Sequence, residues 1–68
     1  MNYFALLTNG KTMIVSSDHS DGYTVRPLDS TFESATQQQL FLRVKFEEVL
    51  CVDTNMVVIN HYKNQKNN

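Results

Sequence analysis

The chain has 68 residues, a net charge of −1 and 41% hydrophobic residues, which suits one folded domain with a single core. Its one cysteine, Cys51, rules out an intrachain disulfide scaffold and fits a reducing compartment. The mixed charge lacks the basic excess of a dedicated nucleic-acid binder. The longest apolar runs, Tyr3–Leu7 and Met56–Ile59, fall far short of the roughly 20 residues that span a membrane.

The N-terminus carries no basic region followed by a long apolar stretch, so the expected location is cytoplasmic. Asparagine is abundant and lysine outnumbers arginine, a composition expected of an AT-rich genome such as that of a low-GC bacterium or its phage.

Asn9-Gly10 separates two apolar runs, Tyr3–Thr8 and Lys11–Ser16, and predicts a two-residue hairpin turn. In that register Thr8 faces Lys11, Leu6 faces Met13 and Phe4 faces Val15. Residues 17–22 read as a loop, followed by a short strand Tyr23–Arg26 that stops at Pro27. Ser30 and Glu33 have the spacing of a capping box, so residues 31–38 are read as a short helix or a polar loop.

Leu40–Phe46 alternates strictly, with Leu40, Leu42, Val44 and Phe46 on one side and Phe41, Arg43 and Lys45 on the other. Val49–Val52 and Met56–Ile59 flank Asp53-Thr54-Asn55 and read as a second hairpin. Residues 62–68 are polar except for Tyr62 and are expected to form a disordered tail behind a single domain of residues 1–61. The expected fold is all-β: a small antiparallel barrel or rolled sheet of five to six strands, with room for one helix near 31–38. SH3-like and oligonucleotide-binding barrels are architectural analogues, and such an analogy carries no function.

Chemistry is sparse. In a hairpin, Cys51 and His61 would lie about four positions apart, roughly 13 Å at strand rise, too far for a nucleophile and its base. Asp18, His19 and Asp21 are loop residues of metal-ligand type, but they lack the spacing of a calcium loop, and the chain lacks a zinc ligand set. Gly10 and Gly22 sit in turns, and no phosphate-binding glycine motif occurs. No catalytic residue, metal site or cofactor is therefore expected, and the chain is read as a non-enzyme.

Two binding readings remain. Both expected hairpins are apolar on both faces, more than a one-layer sheet needs to fill its core. The surplus predicts a protein-binding or self-associating module, a homo-oligomer or the partner of another protein, with Tyr3, Leu7 and Ile14 as the candidate interface. An accessory or phage-type regulator, or an inhibitor of a host protein, fits this size. The alternative is a small barrel that binds nucleic acid or nucleotides through Phe41, Arg43 and Lys45, a stacking ring beside two cations.

Overall fold

The computed structural model describes residues 2–66. Five strands form one antiparallel sheet: β1 (Tyr3–Leu7), β2 (Thr12–Asp18), β3 (Gly22–Arg26), β4 (Leu42–Lys45) and β5 (Val49–Asp53). The order across the sheet is β4-β3-β2-β1-β5, and it curls into a half-barrel. Helix α1 (Phe32–Gln38) joins β3 to β4, a 3-10 turn (Phe46–Glu48) joins β4 to β5, and helix α2 (Met56–Lys66) ends the described chain. The expected all-β rolled sheet with a short helix near 31–38 is the observed fold, with a second helix added.

The first hairpin differs from its expected register by one residue. Leu6 faces Thr12 and Phe4 faces Ile14, because the loop holds three residues instead of two. The Leu7 amide donates to the Lys11 carbonyl and the Gly10 amide to the Leu7 carbonyl, both at 2.9 Å. Within the loop only Gly10 has positive φ, at 89°, while the Asn9 side chain accepts from the Lys11 amide at 2.9 Å. Three-residue loops of this kind place a left-handed residue last, where glycine is unstrained.

Two further irregularities set the faces. Ser16 is an extra residue between the Val15–Val25 and Ser17–Thr24 pairs, and Leu50 is an extra residue opposite the Leu6–Leu7 step. The first lets Val15 and Asp18 share a face; the second does the same for Val49 and Val52. The inner face then gathers Ala5, Leu7, Val25 and Val44 as a buried cluster, flanked by Met13, Val15, Tyr23, Val49 and Val52. Gly22 allows β3 and β4 to meet, since a Cβ there would lie 1.9 Å from the Val44 carbonyl oxygen.

The outer face is partly covered by the helices. Helix α2 packs on β5 and β1, with Ile59 fully buried and Leu6 nearly so. Met56–Ile59, expected as a strand, is the first turn of this helix. The reason lies just upstream. The Asp53 carboxylate accepts from the Asn55 amide and the Asn55 side chain accepts from the Val57 amide, each at 2.8 Å. The Asn55 carbonyl takes the Val58 and Ile59 amides, so asparagine caps the helix. The tail expected to be disordered from residue 62 continues this helix to Lys66, and residues 67 and 68 lie outside the described residues.

Helix α1 starts one residue later than expected. Ser30 spends its hydroxyl on the Pro27 carbonyl at 2.7 Å. Thr31 and Ser34 therefore form the reciprocal cap, each side-chain oxygen accepting from the other's backbone amide at 3.0–3.1 Å. The helix ends at Gln39, which adopts a left-handed φ of 55°.

Candidate functional site

The register aligns one row of side chains across the inner face. Leu42 on β4 faces Val25 on β3, Val25 faces Val15 on β2, and Val15 faces Tyr3 on β1. The middle of the row joins the core, whereas its ends stay open: Tyr3 is 52% and Leu42 49% exposed. Beside it, Tyr23 faces Asp18 on β2 and Val44 on β4. The Phe46 ring meets Tyr23 edge-on, with centroids 5.2 Å apart, and is itself 49% exposed. Tyr3, Val15, Asp18, Tyr23 and Val52 line an open cavity of about 200 Å³. Strands carry the cavity residues and the 3-10 turn carries Phe46; the half-barrel leaves them without a lid among the described residues.

Tyr3, Leu7 and Ile14 do not form one exposed patch. Leu7 is buried in the inner cluster, and Ile14 is buried on the outer face, opposite Phe4. Of the three, only Tyr3 is accessible. The three-residue loop is the cause, because it moves Met13 and Val15, not Ile14, to the face of Tyr3 and Leu7.

Phe41, Arg43 and Lys45 are also separated in role. Phe41 precedes β4 and packs against Phe32 of α1, with ring centroids 5.3 Å apart. Together with Ser16, Ser17 and Thr24, the two rings border an outer-face cavity of about 420 Å³. Arg43 is exposed and bonds the Asp21 carboxylate at 2.8 Å. That guanidinium, by hydrogen bond and then by charge, holds the Asp21 carboxyl below its usual range. Lys45 is exposed and its backbone amide donates to the Glu48 carboxylate at 3.1 Å. A phosphate approaching this strand meets Arg43 already paired with Asp21, and Lys45 with the Glu48 carboxylate at its backbone.

The remaining reactive groups stand apart. Cys51 pairs with Leu6 across β1 and β5, and burial, followed by the charge of Asp53, pushes its thiol pKa up. A thiol held protonated is a poor nucleophile. His61 lies exposed on α2, 3.0 Å from Gln65. His19 Nε2 sits 2.6 Å from the Thr24 hydroxyl and 3.4 Å from that of Ser17. Among the described residues no three His, Cys, Asp or Glu side chains could together hold a metal ion, and no helix is long and apolar enough to cross a membrane.

The sequence placed Asp18 in a loop and Tyr23 and Phe46 on separate strands, and did not bring them together with Tyr3, because β2 runs on to Asp18 through what read as a loop. Comparison of the chain with protein-family models, curated proteins and solved structures gives no match.

Proposed function

We propose that the domain is a non-enzymatic protein-binding module that docks its partner on the inner face of the half-barrel. The supporting observation is the row that begins at Tyr3 and ends at Leu42, with Phe46 beside it, three large apolar side chains about half exposed next to the core. Monomers seldom leave large apolar patches uncovered, and such patches usually mark interaction sites. Aromatic side chains on strands lose little conformational freedom when covered, which favours them as anchors. A second copy of the chain would serve as such a partner, and a two-fold dimer would then cover the row twice. Nucleic acid is the weaker reading, since Arg43 is already engaged by Asp21.

Capture from a nuclease-treated lysate, paired with light scattering, tests the proposal. The expected result is a protein retained by the wild type, or a particle larger than 7.8 kDa, with either lost in Leu42→Asp. A monomer that retains nothing, or retention that disappears with nuclease, would overturn it.

A further inference from the structure

The inner-face cavity has a chemical bias that narrows the partner, a narrowing that rests on the docking face proposed above. Tyr3, on β1, and Tyr23, on β3, flank the β2 residues Val15 and Asp18, with Val52 on the β5 side. Asp18 is exposed and is the one acidic group among these lining residues. Among the described residues the only ion pair is Arg43–Asp21, so the Asp18 carboxylate has no cation of its own. Neither tyrosine hydroxyl has a hydrogen-bond partner among the described residues, and both are available to accept.

A volume of about 200 Å³ is below the range of roughly 300–1,000 Å³ typical of small-molecule sites; it matches one long side chain. Aromatic rings attract a cation to their faces, the carboxylate supplies a charge-assisted hydrogen bond, and the two valines accept an aliphatic stem. An anion is repelled by Asp18. The geometry points to this cavity as the seat of a single basic side chain, lysine or arginine, presented by the protein partner. The stem lies on Val15 and Val52, and the charged end sits between the tyrosines and Asp18.

The test uses the full chain, isotopically labelled for NMR, titrated with N-acetyl-lysinamide, N-acetyl-argininamide and the neutral N-acetyl-norleucinamide. At least one basic probe is expected to perturb Tyr3, Val15, Asp18, Tyr23 and Val52 at millimolar concentration. The neutral probe should bind several-fold more weakly, and Asp18→Asn should weaken the basic probe by about tenfold. Equal response to the neutral probe, or no response of these residues to either basic probe, would overturn the inference.

Two variants keep the readings distinguishable. If Leu42→Asp abolishes partner retention while Asp18→Asn leaves both partner and probe binding unchanged, the docking face stands and the basic side chain is wrong. If the probe binds as described but Leu42→Asp retains the partner fully, the docking face is wrong.

Discussion

On the outer face of the sheet, Leu6 and Ile14 are buried, and Ile59 of the covering helix is 0% exposed. On the inner face, a row of equally apolar residues passes from the buried Val25 to Tyr3 and Leu42, both about half exposed. The strands are the same and the side chains are of the same kind. What differs is the cover: α2 packs on β1 and β5 from outside, and the half-barrel has no comparable element within, among the described residues. In so small a chain, the two faces divide the work. The helices cover part of the outer face, while the inner rim stays open among the described residues, and it is there that we propose a partner docks.

The largest expected effect falls on the covered side. Ile59→Ala should cost about 2–5 kcal/mol by the lost burial and the cavity left behind, read from urea unfolding. A loss below about 1 kcal/mol would mean that α2 adds little to the core and that the contrast between the faces is overstated. Gly22→Ala should come next. Its Cβ meets backbone at 1.9 Å, so β3 and β4 must part, at roughly 2–3 kcal/mol. Tyr23 would be displaced with them, and the basic probe should lose its site.

Thr31→Ala removes the acceptor for the Ser34 amide and should lower stability by about 1 kcal/mol, seen as a lower melting temperature with inner-face signals unmoved. The smallest effect concerns Asp21. Arg43 depresses the Asp21 pKa in the folded chain, so the pair contributes fully above the ordinary value of 3.8 and fades as pH falls through the lowered one. Both partners are exposed, and solvent screening keeps that contribution minor. An NMR titration of the Asp21 carboxyl should move back toward the ordinary value in Arg43→Ala. No movement would mean that the ion pair does not persist in solution.

Much of the sheet was legible because alternation and turn residues act locally. All five strands and the helix after Pro27 lie near where their patterns put them; only Met56–Ile59, expected as a sixth strand, does not. The errors arose where local signals competed. Val57, Val58 and Ile59 are β-branched and read as a strand, yet the Asp53 and Asn55 side chains bond forward to backbone amides and start a helix. Thr31 displaced Ser30 as cap because a neighbouring carbonyl claimed the Ser30 hydroxyl.

The proposed docking face was the least legible part. Which apolar residues remain uncovered depends on a one-residue hairpin register and on two strand irregularities, at Ser16 and Leu50. A slip of one residue exchanges faces, so Tyr3 is accessible as expected while Leu7 and Ile14 are not.

The division of work between the faces is tested most directly by the double variant Tyr3→Ser/Leu42→Ser, measured for unfolding free energy and for partner retention or oligomeric state. The expected result is stability within about 1 kcal/mol of wild type together with loss of the partner or the oligomer. Undiminished retention in a folded double variant would contradict the account.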